Sequence, residues 1–400
     1  MKLAETHSLL SGQKIGKMFI NEQYIPLPFD KYITIQPYTK NSKNYDYFAD
    51  VIHILHPILE KEGIKIVQIG GEKENPIAGC YFVAGSLTIR ESAYVVKNSL
   101  LHLSADSYSA HLAGHYNIPL VALYSNNYVE NVRPYFRNDD NQILLDGKVY
   151  MSHSLDKRIK PSFAFDENPK SINFIPIEDI INGVCKLLNI NYRFPYKTVY
   201  VGENFKSKMV ETVPVGVTNN ASFGINNLIV RFDFGGSEDF LAKQMEVCNC
   251  SIITDKPINL DLLTHYKSRD RIKELIYFIN ETNDLNFVQR IRKIGIPFVL
   301  FSWDEEERVN EYKLKYFDYS VVLKKNIPKQ NDIPTLSGLN INDLFYKSSK
   351  ITVNNGQLFP SFSAILQYKP IQSVSEIVPA VDEVNWWKEL EYFYVLKKLD

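Results

Sequence analysis

A cluster of polar residues between positions 105 and 111 could bind an anion. Asp106, Ser107, Ser109 and His111 follow the apolar run LLHLSA and open a stretch of small residues with helical spacing. A helix N-terminus presents unpaired backbone N–H groups and a partial positive charge, which together stabilise a phosphate. Two serine hydroxyls and an imidazole one turn further on would add hydrogen-bond donors. The stretch therefore predicts a phosphate site, and the alternative is an ordinary helix cap at Asp106 or Ser107 followed by a core histidine.

The elements around this cluster alternate between strands and helices. The apolar run KYITIQPY comes before YDYFADVIHILHPILEKEG, whose apolar residues recur at three- and four-residue spacing, and IKIVQIGG follows. Two further predicted helices, at 87–98 and 107–116, alternate with the strands LLHLSAD and PLVALYS, and FIPIEDIINGVCKLLNI closes the block as a helix. Continuous apolar strands in strand–helix–strand order are typical of a parallel sheet covered on both faces.

A second block with the same alternation follows NYRFPYK, residues 191–197, which we predict as the domain boundary. Its predicted strands are TVYVG, NLIVRFDFGG, NCSIITD, PFVLFSW and YSVVLKK, and its predicted helices lie near 237–247, 270–280, 285–294 and 304–315. The run VNWWKELEYFYVLKK predicts a C-terminal helix whose aromatic side chains dock on one of the domains. The predicted fold class is α/β, with two Rossmann-like parallel-sheet domains facing a cleft.

The composition argues against a general attraction to nucleic acid or to an anionic membrane. The 45 Lys and Arg residues nearly balance the 46 Asp and Glu residues, for a formal net charge of −1. The cysteines, Cys80, Cys185, Cys248 and Cys250, form no CxxC pair and have no metal-ligand spacing. The sequence also lacks the apolar segment of a signal peptide and any run of about 18 apolar residues. We therefore expect a cytoplasmic protein with no membrane span, no metal and no cofactor.

The residues around the polar cluster also carry a family resemblance. The run AGSLTIRESAYVVKNSLLHLSADSYSAHLAGHYNIPLVALYS, residues 84–125, resembles the signature region of glycosyltransferase family 9, the ADP-heptose:lipopolysaccharide heptosyltransferases. Upstream, QPYTKNSKNYDYFADVI resembles the first strand and loop of the same domain in that family. Tyr108 stands where the family has a glycine, which would change the approach to the phosphate or reshape the sugar pocket.

The resemblance implies a binding site for the donor, a nucleoside-diphosphate sugar. Thr39 and Lys43 would contact the diphosphate, with Tyr45 as the aromatic residue that follows, and a lysine there would neutralise charge on the leaving group. Either Glu72 or Glu74 would accept hydrogen bonds from the ribose hydroxyls. The implied donor site consists of Thr39, Lys43, Glu72, Leu87 packing against the base, Asp106, Ser107, Tyr108 and His111.

The second block resembles the family's opening strand, loop and helix. In the family, a Gly-Asp after this first strand supplies the catalytic base, whereas here Gly236 is followed by Ser237, Glu238 and Asp239. We expect Asp239 to be the base, with Glu238 or Asp233 as alternatives, and a favourable charge at a helix N-terminus is the other reading of Asp239. Since the donor domain comes second in the family and first here, the chain resembles a circularly permuted GT-B architecture.

These matches give the predicted organisation and activity. We expect an N-terminal extension at 1–29, a donor-binding domain at 30–192, an acceptor-binding domain at 195–340, and a C-terminal segment with a closing helix at 341–400. The resemblance implies a metal-independent, inverting glycosyltransferase that moves a sugar onto a glycan or another hydroxyl acceptor. The alternatives are transfer to a hydroxylated DNA base, which the basic runs KSRDRIK and RIRK would suit, a non-catalytic nucleotide-sugar-binding protein, and a nucleotide-sugar epimerase.

Overall fold

A computed structural model describes residues 2–16, 19–39, 41–136, 139–152, 167, 170–205, 209–223, 225, 227–283, 285–374 and 376–399. The chain divides into two units, one of Met1–Val199 with Lys397–Asp400, and one of Tyr200–Leu396. The division falls just after the stretch 191–197 that we predicted as the boundary.

The first unit is built on a parallel sheet. Its strands are β1 (Tyr32–Gln36), β2 (Lys65–Gln68), β3 (Tyr81–Phe82), β4 (His102–Ala105), β5 (Leu120–Tyr124) and β6 (Gln142–Asp146). Within the described residues these six strands have the order β3-β2-β1-β4-β5-β6, and each pairing is parallel. Strands β1, β4 and β5 are buried along their whole length, as expected when helices cover both faces of a sheet.

The helices of the first unit follow from the apolar spacing of the sequence. They are α1 (Leu3–Ser11), α2 (Phe48–Lys61), α3 (Ile89–Lys97), α4 (Tyr108–His115), α5 (Val129–Val132), α6 (Gly147–Ser152) and α7 (Ile177–Leu187). The stripe predicted in α2 is buried, and it consists of Phe48, Val51, Ile52, Leu55 and Leu59. Helix α3 begins with a capping box, in which the Thr88 hydroxyl accepts from the Glu91 backbone N–H and the Glu91 carboxylate accepts from Thr88.

The segment before β1 packs on the first sheet's core. Apolar side chains at positions 20, 25, 27 and 29 contact the buried cluster that includes Tyr32. The Gln23 backbone N–H donates to the Arg90 carbonyl over 3.2 Å, and Lys97 and Glu22 form an ion pair of 3.0 Å. The segment is therefore tied to α3.

The second unit contains a larger sheet. The chain enters it through β7 (Tyr196–Val201) and continues with β8 (Met209–Thr212), β9 (Asn227–Arg231), β10 (Asn249–Thr254), β11 (Ile272–Phe278), β12 (Phe298–Ser302), β13 (Val322–Lys324), β14 (Leu344–Ser348), β15 (Lys350–Asn354), β16 (Gln357–Phe359), β17 (Val378–Pro379) and β18 (Phe393–Lys398). Within the described residues, eight strands form a sheet of order β13-β12-β11-β10-β9-β8-β15-β16. Its pairings are parallel except for β15 with β16. A smaller sheet has the order β17-β14-β18-β7.

The helices of the second unit accompany the parallel strands. They are α8 (Glu238–Val247), α9 (Leu260–Ser268), α10 (Leu285–Ile294), α11 (Glu306–Lys315), α12 (Phe362–Leu366) and α13 (Val384–Lys388). Parallel strands alternating with helices in both units confirm the α/β fold class.

The helix predicted near 270–280 is wrong. These residues form β11, and the helix α9 lies just before it. The two adjacent charged residues, Lys273 and Glu274, are exposed, whereas the apolar side chains of this strand are buried at Ile272, Leu275 and Tyr277. The strand runs between β10 and β12, so packing in the sheet outweighs the helical spacing of the run.

The predicted C-terminal helix is also wrong, although its tryptophans Trp386 and Trp387 are buried as expected. The run forms the short α13, a 3-10 turn at Leu390–Tyr392 and then β18. Four consecutive residues at the start of β18, positions 393–396, are buried, because β14 and β7 flank the strand.

The domain boundary that we placed at residue 340 falls inside the second unit. Strands β15 and β16, which follow residue 340, extend the larger sheet.

None of the helices in the described ranges combines the length and the hydropathy that crossing a membrane requires.

Candidate functional site

Charged side chains meet at the carboxyl edge of the first sheet. Strands β1 and β4 are parallel neighbours, so the segments after both strands emerge at the same edge. Lys43 lies in the 3-10 turn Asn41–Lys43 after β1, and Asp106 directly follows β4. The Lys43 Nζ lies 2.5 Å from the Asp106 Oδ2, and the two side chains are 28% and 10% exposed. The sheet therefore joins two residues that are 63 positions apart in the chain.

The neighbouring strands contribute further polar groups to this edge. Asn127, which follows β5, donates from Nδ2 to the Asp106 Oδ2 over 3.2 Å. The Lys148 ammonium donates to the Ser125 carbonyl over 2.5 Å and also to the Asn127 carbonyl, and it lies 3.1 Å from an Asp146 carboxylate oxygen. Lys148 thus braces the loop that holds Asn127 against Asp106.

Helix α4 begins at the same edge without a side-chain cap. Ser107 occupies the cap position with extended backbone, and within the described residues no side chain accepts from the first turn of the helix. The Ser107 hydroxyl instead donates to the Gln36 Oε1 over 3.2 Å and lies 2.8 Å from the Ser109 hydroxyl. The N–H groups at the start of α4 are therefore left for a ligand or solvent.

His111 lies one turn into α4, near the ion pair. Burial lowers the pKa of His111, while the Asp106 charge opposes this change and the Lys43 charge adds to it. A neutral imidazole can still donate one hydrogen bond to a phosphate oxygen. The structure thus brings Lys43, Asp106, Ser107 and His111 to one place.

Three other predicted donor-site residues have different surroundings. The Thr39 backbone N–H and hydroxyl lie 2.6 and 3.3 Å from the Asn44 Oδ1, so Thr39 shapes the loop after β1. Tyr108 is the first residue of α4, and its side chain is 42% exposed. Leu87 is partly buried and packs on the apolar core of the first sheet.

The loop after β2 presents one exposed glutamate and one that is folded back. Glu72 is exposed, whereas the Glu74 carboxylate accepts from the Gly71 N–H over 2.7 Å. Burial raises the pKa of Glu74. Gly70 has φ of +153°, a backbone conformation that favours glycine, and a Cβ there would meet the Glu74 carboxylate. Of the two glutamates, Glu72 is the one whose carboxylate points to solvent.

The predicted bases lie in the second unit, at the start of α8. Ser237 caps this helix by accepting from the Phe240 N–H over 3.3 Å. The Glu238 carboxylate accepts from the Asn259 N–H over 2.9 Å, while Asp239 is exposed in the first turn. The partial positive charge at the N-terminus of α8 stabilises the negative charge of both carboxylates.

Sequence reasoning missed a buried charge cluster in the second unit. Arg231, at the end of β9, donates to both oxygens of Asp233, from Nε over 2.9 Å and from Nη2 over 2.7 Å. Its Nη1 donates to Glu211 over 2.9 Å, and Lys350 lies 3.2 Å from Glu211 and 3.0 Å from Glu389. All five side chains are less than a tenth exposed. The sequence signal was the presence of charged residues inside otherwise apolar strands.

The opposite charges in the cluster favour the charged forms of Glu211 and Lys350. Burial acts to raise the pKa of Glu211, but the Arg231 and Lys350 charges outweigh it and the pKa is lowered. Burial likewise acts to lower the pKa of Lys350, and the carboxylates of Glu211 and Glu389 reverse this. The pKa of Asp233 is raised because burial outweighs the attraction of Arg231.

Side chains of the two basic runs that would suit DNA are engaged by other groups of the protein. Arg269 lies 3.0 Å from Glu246, and Lys273 lies 2.8 Å from Asp270. In the second run, Arg292 donates to the Tyr319 carbonyl over 2.9 Å. Partial neutralisation by the protein's own acidic groups weakens the first run as a phosphate-binding surface.

Comparison with known proteins shows that the region containing the carboxyl edge of the first sheet resembles a known family. Residues 11–158 match the model of glycosyltransferase family 9 (heptosyltransferase). This region is glycosyltransferase family 9-like. The family 9-like region contains β1 to β6, the Lys43–Asp106 pair and the start of α4.

Solved structures with similarity to the chain include three glycosyltransferases. The glycosyl transferase family 9 protein from Veillonella parvula is 18% identical over 46% of this chain and 50% of its own, with a TM-score of 0.31. The E. coli ADP-heptose lps heptosyltransferase II is 16% identical over 46% and 51%, with a TM-score of 0.30. The dodecameric iron-containing heptosyltransferase TibC, solved with ADP-D-beta-D-heptose, is 16% identical over 41% and 47%, with a TM-score of 0.31. The matches thus span about half the length of these proteins. No curated protein sequence matches the chain.

Proposed function

We propose that the protein is a glycosyltransferase that transfers a sugar from a nucleoside-diphosphate sugar to an acceptor hydroxyl. The observation that carries the proposal is the Lys43–Asp106 pair beside the uncapped start of α4, inside the family 9-like region. A cation and free backbone N–H groups at one sheet edge suit a diphosphate, since the carboxyl ends of parallel strands are where open α/β sheets bind ligands.

The proposed chemistry is a single displacement with inversion. The acceptor oxygen forms a bond to the anomeric carbon as the bond from that carbon to the diphosphate oxygen breaks, and a carboxylate takes the acceptor proton. Lys43, His111 and the α4 N–H groups stabilise the negative charge that the diphosphate gains. No metal is needed in this scheme, because these groups supply the positive charge.

The base in this proposal is Asp239. Its carboxylate is exposed, whereas Glu238 is engaged by the Asn259 N–H and both oxygens of Asp233 are held by Arg231. An acceptor hydroxyl can reach an exposed carboxylate without breaking an ion pair. The assignment of acceptor binding to the second unit, and with it the circular permutation, is part of the same proposal.

Ligand-induced stabilisation tests the donor site first. We expect one or more of ADP, GDP, UDP and CDP, and their sugars, to raise the melting temperature in a concentration-dependent way. The absence of any shift with the whole panel would contradict the donor site. The nucleotide that stabilises most identifies the base of the donor.

Turnover of the identified donor then tests the base. Asp239→Asn should abolish transfer while leaving nucleotide binding unchanged, and Glu238→Gln should have a small effect. Full activity in Asp239→Asn together with loss in Asp233→Asn would move the role to Asp233. Donor binding with neither transfer nor hydrolysis in the wild type would instead favour a non-catalytic binding protein, and conversion of the donor without an acceptor would favour an epimerase.

A further inference from the structure

A chain of hydrogen-bonded side chains runs from the interior of the first sheet to the start of α4. The His102 imidazole, in β4, lies 2.9 Å through Nδ1 from the Thr34 hydroxyl and 2.7 Å through Nε2 from the Ser109 hydroxyl. Ser109 lies 2.8 Å from Ser107, whose hydroxyl lies 3.2 Å from the Gln36 Oε1. Thr34, His102 and Ser109 are all fully buried. We call these five side chains the relay.

The hydrogen bond from Ser107 to Gln36 sets one direction of donation along the relay. The Gln36 Oε1 can only accept, so the Ser107 hydroxyl donates to it, and the Ser109 hydroxyl then donates to Ser107. With this direction Ser109 accepts from the His102 Nε2–H, and the Thr34 hydroxyl, which also lies 3.1 Å from the Ser99 hydroxyl, donates to the Nδ1. Burial lowers the pKa of His102 to about 3, so the ring is neutral and uses one nitrogen as donor and the other as acceptor.

We propose that His102 is a positioning residue for phosphate binding: its Nε2–H donates to Ser109, so the Ser109 hydroxyl donates to Ser107 and the Ser107 hydrogen stays available as a donor at the start of α4. This inference rests on the proposed function, since the phosphate in question is that of the nucleotide donor. When the phosphate arrives, the Ser107 hydrogen changes its acceptor from the Gln36 Oε1 to a phosphate oxygen. The rest of the relay stays in place, so only the Ser107 hydrogen has to turn when the ligand binds.

A purely structural role would not require this arrangement. Replacing a buried donor and its acceptor by apolar groups of similar shape is close to neutral for stability, so the sheet does not need an imidazole here. The flanking residues Leu101 and Leu103 are fully buried apolar side chains. What the imidazole adds is the orientation of two hydroxyls, of which Ser107 lies at the edge next to Asp106.

Binding measurements on matched variants test the proposal. The probes are ADP, GDP, UDP, CDP and inorganic pyrophosphate, titrated by calorimetry into the wild type, His102→Leu, His102→Gln and Ser109→Ala. We expect His102→Leu and Ser109→Ala to weaken binding about tenfold, as for one hydrogen bond to a charged group. A glutamine amide can replace the Nε2–H, so His102→Gln should retain most of the affinity. Ser104→Ala is the control, since Ser104 is buried in the same strand and its hydroxyl has no hydrogen-bond partner within the described residues.

Two readouts separate positioning from folding. Nitrogen-15 NMR of His102 should show the proton on Nε2 in the free protein, with a change in the Nε2 resonance when the nucleotide binds. In a double-mutant cycle, His102→Leu should have little further effect on affinity once Ser107→Ala is present, because both act through one hydroxyl. Ser109→Ala removes only a hydroxyl, so it interrupts the relay even if His102→Leu does not fold.

The outcomes distinguish this inference from the proposed function. If the wild type binds none of the probes, both the proposed donor site and the positioning role of His102 are overturned. If the wild type binds but His102→Leu and Ser109→Ala match Ser104→Ala, the positioning role alone is overturned. A proton on Nδ1, additive effects in the cycle, or a His102→Gln variant as weak as His102→Leu would each overturn it as well.

Discussion

The two units treat charged side chains near strand ends in opposite ways. At the edge of the first sheet, Lys43 keeps 28% of its side chain exposed and faces one carboxylate, that of Asp106, in the described part of the chain. In the second unit, Arg231 and Lys350 are less than a tenth exposed, and each lies between two carboxylates. A charge that is partly solvated and incompletely surrounded can take up a ligand phosphate, whereas a buried and saturated cluster holds strands together. The contrast supports the proposed binding role of the first group and indicates a structural role for the second.

The largest effect should come from breaking the buried cluster. Lys350→Met leaves Glu211 and Glu389 without a common partner, and we expect the free energy of unfolding of the second unit to fall by about 3–5 kcal/mol. The tryptophans, Trp303, Trp386 and Trp387, all belong to this unit, so tryptophan fluorescence in urea reports on it alone. Lys273→Met, which removes an exposed pair with Asp270, is the control and should lose far less stability than Lys350→Met. Equal losses in the two variants would remove the distinction between the two kinds of charge.

The next largest effect should come from the exposed pair. Lys43→Ala should lower transfer about 100-fold, because it removes a cation from the departing diphosphate, with little change in stability. Steady-state kinetics with the donor found by thermal stabilisation measures the loss. The matched control is Lys65→Ala, whose ammonium pairs with Glu60 at the surface over 2.9 Å. Unchanged turnover in Lys43→Ala would show that this cation belongs to the structure rather than to the site.

A pH dependence of stability should follow from the buried histidine of the relay. The pKa of His102 is about 3 in the folded protein and 6.5 when unperturbed, so the unfolded chain binds the proton more readily. Its contribution to stability is therefore complete above pH 6.5 and is lost as the pH falls toward 3, at about 1.4 kcal/mol per pH unit. Hydrogen exchange of β4 amides should show a steeper loss between these limits in the wild type than in His102→Gln. Parallel curves for the two proteins would contradict the buried neutral ring.

The smallest effect should come from the residue that departs from the family pattern. Tyr108 is 42% exposed, so Tyr108→Gly should change the affinity for a free nucleoside diphosphate by less than about threefold. The ratio of affinities for two sugars on the same nucleotide should change more, because the side chain is exposed at the first position of α4. Calorimetry with the free nucleotide and two of its sugars measures both quantities. A loss of nucleotide affinity as large as that of Lys43→Ala would place Tyr108 at the phosphates.

The alternating pattern of strands and helices could be predicted because each element carries its own apolar spacing. The stripe of α2 and the continuous apolar runs of β4 and β5 are local signals. Strands β11 and β18 were missed, since their charged and aromatic residues have helical spacing and only burial between neighbouring strands decides the outcome.

The site could be predicted only in part for a similar reason. His111 came from the polar cluster after β4 and Lys43 from the family resemblance, and the structure places both near Asp106. The partners Arg231, Glu211 and Lys350 come from three separate strands, so their pairing depends on sheet order, which the sequence did not reveal. The role of His102 was hidden inside an apolar run, where the spacing indicates a strand but not what its polar side chain contacts.

The pairing of β7 with β18 has a consequence for the growing chain. The chain passes from the first unit to the second within β7 and returns within β18, about 200 residues later. Within the described residues, β18 is the strand that pairs with β7. Strand β7 therefore stays unpaired on that edge until the whole second unit has been synthesised. A ribosome paused before residue 393 would therefore hold a nascent chain with an open strand edge, which is where premature aggregation would begin.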